Sequence, residues 1–129
     1  MATAPQYAAT PRTAAVTIST ANTGRDGTGT IGDVITAVAA GTRIDDLYIT
    51  AAGATTAGVV RMFLKQSSTY KLVQEFIVTA VTPSTTVPVW TAFVNNLGII
   101  LADATWSLSF STNNAESFNI VVTRAGDLT

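Results

Sequence analysis

Serine, lysine and carboxylate side chains must carry any covalent or proton-transfer chemistry in this chain, because it has no histidine and no cysteine. Without histidine a Ser-His-Asp triad cannot be assembled, and the commonest general base, metal ligand and pH switch is missing. Without cysteine there are no thiolate nucleophiles, disulfides or Cys-ligated metals. A Ser–Lys dyad needs a buried lysine with a lowered pKa, whereas Lys65 and Lys71 flank a predicted hairpin turn, which places both in solvent. The acidic residues are Asp26, Asp33, Asp45, Asp46, Glu75, Asp103, Glu116 and Asp127. Two carboxylates facing one cleft can hydrolyse a glycoside, but most of these sit at turns or strand ends, where Asp bonds its own backbone. Asp26, Asp45, Asp46 and Asp103 offer hard oxygen ligands for calcium, though without a twelve-residue ligand loop. Gly24, Gly27 and Gly29 invite comparison with a phosphate loop, yet the Gly-Lys-Ser/Thr ending is missing and no helix follows. The expectation is a protein that is not an enzyme and holds no cofactor or metal.

Aromatic residues offer binding chemistry instead. Trp90 and Trp106 would suit a sugar-binding platform, but Trp106 falls on the apolar parity of its segment and reads as core. Trp90 lies in Pro88 to Asn95, where Val89 and Phe93 occupy one parity and Trp90, Ala92 and Val94 the other. A strand apolar on both faces is expected to be covered on both. Val89, Trp90 and Phe93 are therefore candidate interface residues.

The elements that must position these side chains are strands. The 129 residues fit one domain, and a chain of this length buries roughly two-thirds of its unfolded surface without a staple. Threonine, alanine and valine abound, which favours pleated surface over helix. Alternation marks strands at Val16–Thr20, Ile31–Val38, Arg43–Ala51, Val59–Lys65, Tyr70–Thr79, Pro88–Asn95, Leu97–Leu101, Thr105–Ser111 and the segment from Phe118. Ile44 falls off the parity of Leu47, Ile49 and Ala51, which predicts a bulge near Asp45–Asp46. In Thr105–Ser111, Trp106, Leu108 and Phe110 alternate with Ser107, Ser109 and Ser111, which predicts one buried face and one wet face. The glycines between Asn22 and Thr30 mark a loop needing positive φ. About eight strands with regular turn signals predict an antiparallel β-sandwich, jelly-roll-like, with an immunoglobulin-like sandwich as the alternative. Residues 1–13, with Pro5, Tyr7 and Pro11, form an expected extended N-terminal arm, and 14–129 the sandwich domain.

Charged residues make up 12% of the chain, with a net charge of −1. That leaves no electrostatic footprint for nucleic acid, and no apolar run reaches the ~20 residues of a membrane-spanning helix. Neither nucleic acid nor membrane is an expected partner. Met1 to Pro11 lack the basic and apolar regions of a secretory signal, so synthesis in the cytoplasm is expected.

The run from Tyr7 to Arg12 (YAATPR), followed by Ile18 to Thr30 (ISTANTGRDGTGT), resembles small virion proteins of tailed bacteriophages. Ser111 to Asn119 (STNNAESFN) is similar as well. The resemblance implies a capsid decoration or cement protein on the virion surface, binding the major capsid protein and itself as a homotrimer. It adds Pro5, Tyr7, Pro11 and Arg12 to the candidate interface residues by position. The competing expectation is a receptor- or glycan-binding module of a head spike or tail fibre, motivated by Trp90, Tyr70 and the loop around Gly24 to Gly29.

Overall fold

The computed structural model describes residues 9–129, and all the regular structure in them is β. The strands are β1 (Thr10–Ile18), β2 (Gly32–Thr36), β3 (Thr42–Ala51), β4 (Gly58–Gln66), β5 (Thr69–Val78), β6 (Thr91–Val94), β7 (Ile99–Leu101), β8 (Trp106–Thr112) and β9 (Phe118–Asp127). They form two antiparallel sheets, as the strand alternation predicts. Sheet A runs β1-β9-β3-β6, with β7 also paired to β3, and sheet B runs β2-β8-β4-β5. β6 and β7 lie end to end along β3, opposite Leu47–Thr50 and Thr42–Ile44 respectively. Together they form one strand interrupted at Asn95–Gly98, where Asn96 (φ 54°) and Gly98 (φ 60°) turn the backbone left-handed.

Period-2 alternation explains which side chains meet between the sheets. Leu47, Ile49, Ile120 and Val122 from sheet A face Val60, Met62, Leu108 and Phe110 from sheet B, all essentially without solvent contact. The bulge expected near Asp45–Asp46 is present: the β3–β9 register shifts on both sides of Asp46, so Ile44 rejoins the core. A second bulge sets Val73 outside the β4–β5 register. The hairpin between those strands turns through Ser67, a non-glycine residue at φ 55°.

The first strand begins at Thr10, earlier than the alternation alone suggests. Pro11 and Arg12 are paired with Gly126 and Ala125 of β9, so residues 10–13 belong to sheet A rather than to an arm. Proline is tolerated there because β1 is an edge strand. Pro5 and Tyr7 lie outside the described residues.

The two long sides of the sandwich differ. Along β1 and β2 the sheets converge: Arg12 Nη1 donates to Thr36 O at 2.8 Å. A Cβ on Gly32 would lie 3.1 Å from the Ile18 side chain. Along β5 and β6 the sheets stay apart and an open groove remains.

One face departs from the expected wet-and-dry pattern. Ser107, Ser109 and Ser111 are buried, together with Arg61 and Phe63, although all lie on the outer parity of sheet B. The loop from Ala21 to Thr30 closes over this face. Asn22 N donates to Thr112 O, Arg61 Nη1 donates to Asn22 O, and Arg25 pairs with Glu75. The Asn22 side chain organises the loop, donating to the carbonyls of Thr28 and Thr30 and accepting from Gly24 N. Gly29 (φ 81°) passes so close that a Cβ would lie 2.8 Å from that amide.

Candidate functional site

The serine, lysine and carboxylate groups converge at one place, between β2, β4 and β8. Asp33 accepts from Ser109 Oγ at 2.6 Å and from Lys65 Nζ at 2.9 Å. Lys65 is thus held in an ion pair with its side chain only 22% exposed, rather than free in solvent as its place beside a turn suggests. The hydrogen bond from Lys65 to Asp33 raises the lysine pKa above its ordinary value. A lysine base needs the opposite shift, and Ser109 has no solvent access. The trio ties three strands together and offers no open nucleophile.

The carboxylates are similarly engaged. Asp26 and Asp103 accept from the backbone N–H and hydroxyl of Thr28 and Thr105, and these bonds lower both pKa values. Glu75 bridges Arg25 and Arg61. Asp127 accepts from Thr42 and Arg12, Glu116 from Thr56, and Asp46 from Asn96 N. Among the described residues no group of three or more His, Cys, Asp or Glu side chains is placed to share a metal ion.

Exposed apolar side chains line up across strands on sheet A. Its outer face carries a cross-strand row made by Ala15, Val121, Tyr48 and Phe93 on β1, β9, β3 and β6. Tyr48 is 40% exposed, Phe93 50% and Val121 36%. The rings of Tyr48 and Phe93 stack, with centroids 4.6 Å apart. Ile100 on β7, 60% exposed, extends the apolar surface opposite Arg43. The adjacent row is Thr17, Asn119, Thr50 and Thr91, which is polar but uncharged.

Beside this face lies the groove at the β5/β6 edge. Its volume is about 470 Å³, and it is lined by Gln74, Phe76, Ala92, Phe93, Val94, Asn95, Asn96 and Leu97. Phe76, Ala92, Val94 and Leu97 are half-buried against the core. Phe93 and the amides stand at the accessible part.

The sequence candidates among the described residues do not gather into one site. Phe93 lies on the exposed face, as its parity requires. Trp90 and Val89 pack instead against the core, Trp90 edge-to-face with Phe118 at 5.8 Å. Within the chain itself, one side of this segment is covered by the core and the other is exposed at Phe93. Pro11 and Arg12 are on β1, the opposite edge of sheet A from Phe93. Arg12 is engaged by Asp127 and Thr36. Tyr70 packs edge-to-face on Phe63, and the glycine loop is fixed over sheet B. Sequence reasoning missed Tyr48 and Val121. Their signal was available: each is a large apolar residue between two inward neighbours, Leu47 and Ile49 or Ile120 and Val122. Comparisons with protein-family models, with curated proteins and with solved structures give no match.

Proposed function

We propose that this chain is a non-enzymatic structural protein of a phage virion, a jelly-roll domain that decorates the capsid shell as a homotrimer and stabilises it. The jelly-roll reading rests on strand order. Two sheets ordered β1-β9-β3-β6 and β2-β8-β4-β5, with β6 and β7 counted as one strand, are what eight strands wound into two Greek keys produce. An immunoglobulin-like sandwich places its sheets in a different order.

The observation that carries the functional reading is the outer face of sheet A. Two adjacent rows across four strands contain no charge, and one of them exposes Tyr48, Phe93 and Val121. Protein interfaces are enriched in aromatic residues and depleted of charge at their centres. Two uncharged rows at the centre of a sheet face cost little to desolvate, and repeated contacts on a shell would add through multivalency.

The test is particle composition together with solution mass. Virions purified through a density gradient should contain the chain in a fixed ratio to the major capsid protein, and sedimentation should give a trimer. A monomer that never accompanies particles would refute the proposal.

A further inference from the structure

The groove between β5 and β6 has a chemistry distinct from the apolar face beside it. No charged side chain lines it. Its polar groups are the amides of Gln74, Asn95 and Asn96, and among the described residues these side chains form no hydrogen bond to one another or to the rest of the chain. Its exposed aromatic is Phe93, held by stacking on Tyr48. The backbone at Asn96 sits at φ 54°, a left-handed conformation that asparagine tolerates better than most residues. Its N–H is fixed by the Asp46 carboxylate at 3.1 Å. The volume of about 470 Å³ falls within the ~300–1,000 Å³ of small-molecule sites.

We propose that this groove binds a neutral carbohydrate. A sugar ring presents a C–H-rich face and a rim of hydroxyls. The negative π face of an aromatic ring attracts the polarised C–H groups, and side-chain amides both donate to and accept from hydroxyls. A charged ligand is disfavoured because nothing lining the groove would neutralise it on desolvation. The half-buried apolar residues beneath favour the less polar sugar face over bulk water. The groove opens at the sheet edge, so chain ends of an oligosaccharide can extend beyond it. This inference shares Phe93 with the capsid reading, because a chain docked through that ring would not offer it to a sugar; titrating the free chain tests the groove separately from any shell contact.

The test uses the full chain, labelled with nitrogen-15 and titrated with maltotriose, cellotriose and chitotriose, with sialyllactose as a charged comparator. At least one neutral trisaccharide should give saturable shifts, with Kd on the order of millimolar, confined to the amides of Gln74 and Ala92 to Leu97. Phe93→Ala and Gln74→Ala should each weaken that binding about tenfold. Gln74 is exposed and makes no internal bond, so its substitution keeps the fold intact even where Phe93→Ala loosens the edge. Absence of saturable shifts with all three neutral sugars overturns the proposal. So does binding of sialyllactose alone, or binding unchanged by both substitutions.

Discussion

Arg61 shows how much one side chain contributes to this molecule. It is 2% exposed, yet it carries a full charge. Its Nε donates to Glu75 at 2.9 Å, Nη1 to Asn22 O at 2.8 Å and Nη2 to Asn113 Oδ1 at 3.0 Å. Removing a partner from such a set leaves buried polar groups unpaired. Arg61→Ala should therefore destabilise the protein by about 2–4 kcal/mol in urea unfolding. Glu75 keeps Arg25 in that variant, so the cost falls short of a wholly orphaned carboxylate. Glu75 also predicts a pH dependence. Its pKa is lowered below 4.5, first by the hydrogen bond from Arg25, with burial opposing and the charges of Arg25 and Arg61 assisting. A depressed carboxyl pKa contributes stability that is complete above the unfolded value and lost as pH falls through the folded one. The stability gap between wild type and Glu75→Gln should be constant near neutrality and narrow as pH falls below about 4.5. Denaturant midpoints across that range would measure it, and a gap independent of pH would refute the assignment.

At the scale of elements, the loop from Ala21 to Thr30 acts as a third layer over sheet B. Gly29 and Asn22 are its two critical positions, one for conformation and one for hydrogen bonding. Gly29→Ala meets both a positive φ and a 2.8 Å approach to Asn22, and should cost about 1–3 kcal/mol. Asn22→Ala removes three loop bonds and should raise hydrogen exchange at Ser109 and Ser111 more than at Ile120, which lies in the other sheet. Equal acceleration at all three amides would mean that the loop does not protect its face separately. This loop also marks where the sequence stops being legible. Alternation located the strands and most of their inward sets, and even the bulge at Asp46, because burial between two sheets imposes a period of 2 locally; it missed the early start of β1 at Thr10 and the inward packing of Val89. It could not show that the serine face of β8 is covered. That cover comes from a loop some eighty residues away in the chain, and its lock is a charged residue, Arg61, whose type argues for solvent. The candidate site was half legible for a related reason. Phe93 is exposed because its parity points outward, while Trp90 is withdrawn because its parity points to Phe118. Gln74, Asn95 and Asn96 meet only because the edges of two different sheets lie side by side there.

The whole molecule is asymmetric in a way that bears on assembly. Its sheets converge along β1 and β2 and stay open along β5 and β6, and the outer face of sheet B is covered by its own loop over Arg61 and the β8 serines. Sheet A is left as the broad face without a cover among the described residues. If that face docks on a shell, a charge placed at its centre must be desolvated on binding, whereas the same charge elsewhere on the surface need not be. Tyr48→Glu and Val121→Glu should each weaken one contact by about tenfold, while leaving the unfolding free energy within about 1 kcal/mol because both sites are exposed. Ile77→Glu is the matched control: Ile77 is 77% exposed, but it sits on β5 at the edge of sheet B, away from the proposed contact. In a trimer the three contacts are linked, so the loss compounds to roughly a thousandfold in shell affinity. Particle-bound fractions in a co-sedimentation titration of wild type and the three variants would measure it. Wild-type binding by the Ile77 variant with loss in the other two places the contact on sheet A. Equal retention by all three variants refutes sheet A as the docking face.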